Sequence, residues 1–526
     1  MLRNSESPRG KVGQQIALTG LVIYVLFAPH SVAASAIGVG IAGLGWVVRS
    51  VRTGSLGLIR SRFDLIIVLS LLWTVASAVL SEEPRISIAK LQASWCVFLF
   101  YLTRATLNRR TSFLFIALLI VSGSAGALYS AFDLVRGRGV VIESIAPESP
   151  FHQVGVQPGD TIWRVAGRRV YSVEDIDKQL RSGQVSVGII SRGEQIERPL
   201  TITQPLSSGL TGTAHNHRFR ASGWTRHYET FAELMQMIAQ LALGLALAHL
   251  RNHGPNKYFR IAILAVAILT MGLVFTAMRT VVVAFVIGAS LIALRSLRGA
   301  LKVAFTFALF FVLAFAAVVV WQTRDPNALL FGDPSSSLRM QVASVGLSRI
   351  AIHPFFGHGM DAMQRHWNEW GFPGRDMVHL HSTPLQLAFD RGLPMLVLWT
   401  WMMIAFWLFI ARAQKQAADL SDTHSYGILL GTLGALTGFL ASSLVNYNYG
   451  DAEVAMMFWF LMGAADLCYR TSPPSTRRLF CTENTPGTRL AAMYARFRSP
   501  LCATTPSSVT CPRSTTMCND GFTPCK

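Results

Sequence analysis

Apolar residues in this chain come in long, nearly unbroken runs. Twelve of them stand at about 15–29, 32–48, 63–80, 88–103, 113–134, 228–249, 260–278, 280–294, 300–321, 393–411, 427–445 and 452–468. A hydrocarbon core about 30 Å thick needs about 20 mostly apolar residues per helical crossing. Backbone groups in lipid must bond within their own segment, so each run predicts a helix rather than a strand. The pairs 15–48 and 260–294 read as tight hairpins. Between the fifth and sixth runs the pattern changes. Short β-type runs appear at Val140–Ile145, Thr161–Val165, Val185–Ile190 and Gln195–Ile202. Turn residues separate them: Gln157-Pro158-Gly159-Asp160, Ala166-Gly167-Arg168-Arg169 and Ser191-Arg192-Gly193-Glu194. Ser172 precedes a short helix with Asp175 three residues on and Ile176 and Leu180 as its apolar face.

Composition supports the pattern. Hydrophobic residues make up 51% of the 526 and charged residues only 14%, against about 25% in a soluble chain. The net charge of +19 would suggest nucleic acid on a soluble protein. Its placement says otherwise. Arg49, Arg52, Arg60 and Arg62 fill the second loop, Arg104, Arg109 and Arg110 the fourth, and Arg251, Lys257 and Arg260 the sixth. Arg295, Arg298 and Lys302 fill the eighth, and Arg412 and Lys415 the tenth, while Ser31–Val32 and 446–451 lack basic residues. That alternation follows the positive-inside rule and gives nucleic acid no role as a partner. It predicts cytoplasmic termini and two large periplasmic loops, about 135–227 and 322–392. No cleavable signal peptide pattern is read, because the small residues at 33–36 are followed by a second apolar run. Cys96 and Cys468 fall in membrane runs and read as packing residues. Cys481, Cys502, Cys511, Cys518 and Cys525 crowd a Ser/Thr/Pro-rich tail, about 471–526, expected to be disordered and cytoplasmic. The expected fold class is therefore an all-α polytopic membrane protein of about 12 transmembrane helices with a small α+β domain in a periplasmic loop. Its parts are the N-terminal helices 1–134, the insert 139–204, a second membrane domain 210–470 containing the loop 322–392, and the tail.

The insert carries a resemblance. Ser144-Ile145-Ala146-Pro147-Glu148-Ser149-Pro150, then Val154-Gly155-Val156-Gln157-Pro158-Gly159-Asp160-Thr161-Ile162, looks like a bacterial periplasmic PDZ domain. The resemblance implies capture of an extended peptide or protein segment by strand addition at a sheet edge, with Gly139, Val140 and Val141 as the loop and strand that hold it. A spacer that binds nothing is the other reading.

Candidate chemistry gathers on the outer face. Arg279 sits between two helices on the side where basic residues are disfavoured; it reads as functional, or as snorkelling to headgroups. Ser335-Ser336-Ser337 offers an N-cap to a helix with Leu338, Val342 and Val345 on one face and Arg339 in its first turn. A helix N-terminus with a guanidinium suits a phosphate; a helix lying on the membrane surface is the alternative. In His379-Leu380-His381-Ser382-Thr383-Pro384, Ser382 or Thr383 caps the next helix and Pro384 suits its start, leaving His381 just before the N-terminus. The dipole there favours neutral imidazole, the form that acts as a general base. His353, His358, His366, His379 and His381 also read as metal ligands or structural residues, but no His-Glu-x-x-His or Cys/His spacing is present and no metal is expected.

These residues bring a second resemblance. His381-Ser382 followed after nine residues by Gly392 resembles the motif of the O-antigen ligase and polymerase superfamily. His353-Pro354-Phe355-Phe356-Gly357-His358-Gly359 is similar to its glycine signature, and Arg279 and Arg339 match its two arginines in order and spacing. The similarity covers about 210–470; Met395, where ligases usually have a second glycine, and the insert depart from it. It implies a GT-C-like membrane glycosyltransferase, localised to the bacterial inner membrane and working without a cofactor. The donor would be an undecaprenyl-pyrophosphate-linked glycan, and the acceptor a glycan, lipid A–core or a protein hydroxyl. His381 would be the base and Arg279 and Arg339 would bind pyrophosphate. His379, Gly357, Gly359 and Gly392 would support them, and Asp390 or Asp376 would orient His381. Protein O-oligosaccharyl transfer within the same superfamily, a non-catalytic PDZ scaffold, a transporter and an intramembrane protease are the alternatives. The protease lacks a zinc or Gly-x-Ser-x-Gly motif, and a transporter should show paired charges inside the membrane.

Overall fold

The computed structural model describes residues 8–58, 60–191, 194–202, 207–225, 227–323, 334–374 and 379–470. The predicted tail and its five cysteines, the Arg192-Gly193 turn and Asp376 lie outside the described residues. Among the described residues eleven helices are long and apolar enough to cross a membrane, and a further apolar helix, Asp64–Leu80, has 17 residues. The chain is a multi-pass membrane protein.

Helices α1 (Pro8–Phe27) and α2 (Val32–Thr53) form the first predicted hairpin. Its tightness has a local cause: a Cβ on Gly20, Gly38 or Gly45 would overlap backbone atoms of the facing helix. After α3 (Asp64–Leu80) the next crossing is broken into α4 (Pro84–Lys90), a 3-10 stretch at Leu91–Val97, and α5 (Phe98–Thr106). Helix α6 (Arg109–Arg136) opens with an Asn108/Thr111 capping box. Its 28 residues span roughly 42 Å, longer than a hydrocarbon core, so its end lifts the insert clear.

The insert is an antiparallel sheet with one helix and its own core. Strands β1 (Val140–Val141), β3 (Thr161–Val165), β5 (Gly183–Ser191) and β6 (Glu194–Ile202) lie in the order β1-β3-β5-β6, and β4 (Arg168–Arg169) pairs with β3. Strand β2 (Ser144–Ile145) pairs with β7 (Leu210–Thr211). Helix α7 (Val173–Gln179) is capped by Ser172 as expected and buries Ile176 in a core with Phe151, Ile162, Val187 and Leu200. Two sequence expectations change here. The chain stays with the domain beyond 204: β7 pairs with β2 in a separate two-stranded sheet, and Asn216 forms an isolated bridge with Arg138. Nor is the edge at Gly139, Val140 and Val141 open to an added peptide. Val141 N–H donates to Ala214 O at 2.9 Å and Glu143 N–H to Thr211 O at 2.8 Å, while β3 occupies the other side. The chain's own residues Thr211 and Ala214 occupy that edge.

The insert is docked, not tethered. Asp133, near the end of α6, accepts from Arg138 at 2.5 Å and from Arg169 at 3.0 Å, with Asp133 3% and Arg138 2% exposed. Trp163, Ile190 and Phe219 pack on Leu134 beside them. An acid at the membrane boundary is thereby matched by two cations from the domain above it.

The second half contains α8 (Tyr228–His253), α9 (Lys257–Val274), α10 (Arg279–Ser296), α11 (Ala300–Thr323), α12 (Pro334–Ile352), the short α13 (Ala362–Arg365), α14 (Thr383–Asp419), α15 (Thr423–Ser443) and α16 (Ala452–Arg470). Helix α8 is the axis, with residues 230–249 buried against α6, α9, α10, α15 and α16. One loop charge is relocated: Arg104 does not face the cytoplasm but is buried against Asp466 at 2.8 Å. Such charges persist inside a bundle only when paired. The chain therefore has a paired intramembrane charge that the sequence reading overlooked.

Replacing Asp133 with Asn is expected to loosen the insert, because it leaves Arg138 a buried cation without its acid. Removing one partner of a buried pair costs about 3–5 kcal/mol. Limited proteolysis in detergent should cut within 138–216 faster than in wild type, and an unchanged digestion pattern would mean that docking rests on other contacts.

Candidate functional site

Helix α14 is two helices joined at a break. Gly392 adopts φ 79° and ψ 169°, and Pro394 follows it. Pro394 has no N–H, so the Asp390 carbonyl loses its helical donor; Gly359 N–H replaces it at 3.1 Å. Leu393 N–H turns to Pro354 O at 2.7 Å, and the Phe389 carbonyl accepts from His358 N–H at 2.8 Å. Trp73 Nε1 donates to Arg391 O at 2.9 Å. The loop 353–359 thus takes over hydrogen bonds the helix gives up. The approach is backbone on backbone, so a Cβ on Gly392 would overlap the Phe355 carbonyl and one on Gly357 the Asp390–Arg391 peptide. The glycines of the two sequence signatures face each other across this seam, and Gly359 lies against Ser81 and Ser87.

The break holds up the short helix that starts just after His381. Its first turn joins two others at the loop 446–451. Thr383 N–H and Oγ1 both donate to Asn446 O at 3.1 Å. Asn446 Nδ2 donates to Thr280 Oγ1 at 3.3 Å, in the first turn of α10, beside Arg279. Thr230 Oγ1, in the first turn of α8, donates to Asp451 at 2.6 Å. None of the N-cap residues His227, Met278 and Ser382 makes a side-chain capping bond. Three helix N-termini, each with the partial positive charge of its free N–H groups, are therefore tied to one loop. Under them sits Glu233, fully buried, with Ser442, Asn446 and Asn448 donating to its two oxygens.

At this centre His381 adopts φ 51°, a left-handed conformation that is strained for a side chain with a Cβ. Its backbone N–H donates to His379 Nδ1 at 3.3 Å, and the two rings stand edge to face at 4.4 Å. Burial, the His379 ring and the Arg339 guanidinium push His381 down to about 3. Burial and Arg339 push His379 down to about 4. Both rings are neutral at pH 7. Arg339 pairs loosely with Glu229 of α8 at 3.8 Å. Beside this centre, a cleft of about 770 Å³ opens between His30, Trp224, His227, Thr230, Asp451 and Glu453.

The structure thus brings His379, His381, Arg339 and the helix start carrying Arg279 to one region. It corrects several details. Helix α12 begins at Pro334, so the three serines lie within its first turn instead of before it. Ser382 occupies the N-cap position without capping. Neutral His381 owes its state first to burial, where the sequence reading invoked the helix dipole. Asp390 does not reach the His381 ring: it accepts from Gln386, whose Oε1 takes the Leu380 N–H. The five histidines are not one cluster. His353 and His358 sit with Glu82, and His366 is held by Glu83 and Glu369. Glu229, Glu233, Asn446, Asn448 and Asp451 were missed; an acid inside an apolar run, as Glu233 is, was the available signal.

The helices define a multi-pass membrane protein with a polar centre where three helix N-termini meet. Residues 264–400 match the family described as O-antigen ligase, which suggests a glycosyltransferase-type function. The match takes in Arg279, Arg339, Gly357, Gly359, His381 and Gly392 and leaves out the insert, α8 and the loop 446–451. No curated protein matches the chain.

Two outcomes are expected. In a nuclear magnetic resonance titration of ring carbons, His379 and His381 should remain neutral down to below pH 5, and Arg339→Gln should raise both because it removes a nearby cation. A His381 midpoint near the ordinary value of about 6.5 in wild type would contradict the burial seen here. Gly392→Ala should lower the melting temperature, because the left-handed backbone alone costs about 1–3 kcal/mol and the overlap with Phe355 adds to it; an unshifted melting curve would mean that the seam does not hold the fold.

Proposed function

We propose that this protein transfers a glycan from an undecaprenyl-pyrophosphate carrier to an acceptor hydroxyl at the periplasmic face of the inner membrane, in the manner of O-antigen ligases and polymerases. The observation that carries the reading is a neutral, half-buried histidine beside Arg339 at the start of a helix hydrogen-bonded through Asn446 to the helix start bearing Arg279. The leaving group is a multiply charged pyrophosphate; Arg279 at the N-terminus of α10 and the Arg339 guanidinium in the second turn of α12 suit it. His381 takes the proton of the acceptor hydroxyl as its oxygen attacks the anomeric carbon. The bond from that carbon to the pyrophosphate oxygen breaks, and the charge left on the oxygen is held by Arg279 and Arg339. Attack opposite the leaving group inverts the anomeric centre. The acceptor is a growing glycan, lipid A–core or a protein hydroxyl. The short loops on the insert's side, Ser31–Val32 and 446–451, carry no Lys or Arg, which supports a periplasmic orientation.

Membranes carrying His381→Ala should lose transfer by about 10²- to 10⁴-fold while keeping the protein inserted. Arg279→Ala and Arg339→Ala should raise the donor concentration needed, with Lys restoring only part, since an ammonium cannot grip two phosphate oxygens as a guanidinium does. Product measured on gels decides this; wild-type transfer by the His381 variant would remove the base assignment.

A further inference from the structure

We propose that Glu82, His353 and His358 hold a divalent transition-metal ion, zinc by ligand chemistry, that clamps the α3–α4 turn to the loop 353–359. Glu82 comes from the α3–α4 turn and His353 and His358 from the loop 353–359, and their ligand atoms all lie within 4.8 Å of one another. His358 Nδ1 is 2.5 Å from Glu82 Oε2, and His353 Nε2 is 3.7 Å from the same oxygen. Bonds of about 2.0–2.1 Å to a tetrahedral ion set ligand separations of roughly 3.3 Å, so small side-chain rotations bring all three atoms to one point.

The stronger argument is where the lone pairs face. His358 is 1% exposed, and its ring is held by Phe389 and Trp370 at 4.7 Å. Its Nε2 lies 3.0 Å from the Arg349 carbonyl, which can only accept, so Nε2 carries a proton. In the neutral ring Nδ1 is then a lone pair aimed at a carboxylate oxygen, with a third lone pair offered by His353. Acceptor facing acceptor requires a cation between. A proton would serve the Glu82–His358 pair but leaves His353 unexplained. A metal-bound histidine whose other nitrogen donates to a backbone carbonyl is the usual outer-shell arrangement. Two imidazoles and a carboxylate suit zinc. Glu82 and His353 have side chains 39% and 43% exposed, which gives the ion a path in and water as its fourth ligand. The neighbouring His366 is a useful contrast. Both its nitrogens face carboxylates, of Glu369 and Glu83, and these raise its pKa, so it is a charge partner and not a ligand.

The ion takes no part in the glycosyl transfer proposed above. It fastens the loop whose His358 and Gly359 N–H groups serve the broken α14. The test uses full-length protein purified in detergent without a polyhistidine tag, stripped with a chelator and titrated with zinc ions alone. Calorimetry and elemental analysis should give about one zinc per chain with micromolar or tighter affinity. His353→Ala and Glu82→Gln should each weaken it at least about tenfold, and His366→Ala should leave it intact. His353 is largely outside the core, so its variant stays folded and keeps the test fair. Zinc should raise the melting temperature of wild type and not of these two variants. No stoichiometric zinc in wild type, or zinc retained equally by both ligand variants, would overturn the proposal and leave a Glu82–His358 charge pair. The readout is metal alone, so it succeeds or fails separately from the transfer reaction.

Discussion

The backbone of α14 at Gly392 sets a requirement that much of the second half meets. A helix broken at the end of an apolar run leaves buried peptide groups without helical partners, so it survives only where other protein supplies them. Here the loop 353–359 does so, bond for bond, through Pro354 O and the N–H groups of His358 and Gly359. Those bonds demand approach at van der Waals distance between two backbones, which only glycine permits at 357 and 392. The glycine signatures are thus structural in their immediate action. They fix a short helix whose start carries His381.

The loop 446–451 solves the complementary problem. Three threonines, one in the first turn of each of α8, α10 and α14, are bound to it. Buried Glu233 holds the same loop from below, accepting from Asn446 and Asn448. A carboxylate in such a place is costly unless its oxygens are bonded, and here they are. The result is rigid geometry around helix termini that remain uncapped. The partial positive charge of three helix starts is kept together at one face, while the groups that position it are engaged with one another.

Much of this was legible in the sequence, for identifiable reasons. The twelve apolar runs are long, and length alone separates membrane helices from everything else. His381, Arg279, Arg339 and the paired glycines stand at recognisable spacings. What escaped is what depends on contact between distant segments. Glu233 is a single acid in an apolar helix, and its partners Asn446 and Asn448 lie more than 200 residues on. Arg104 reads as a loop cation because Asp466, 362 positions away, cannot be seen from either stretch. The return strand β7, Leu210–Thr211, is too short to show alternation of its own; its pairing with β2 makes it a strand. Between Asp390 and Asp376 the sequence offered no choice; the Asp390 side chain accepts from Gln386 on its own helix.

That return strand changes what kind of object the insert is. Arg138 and Asn216 are bridged, and His217 Nδ1 lies 3.0 Å from the Leu134 carbonyl, so the domain leaves the membrane part and rejoins it at one place. A module whose entry and exit coincide adds no strain to the helices on either side and requires no rethreading of the bundle. Gene rearrangement could place such a module there, or take it away, in a single step. The same closure means that a cut between 204 and 210 would part β7 from its partner β2.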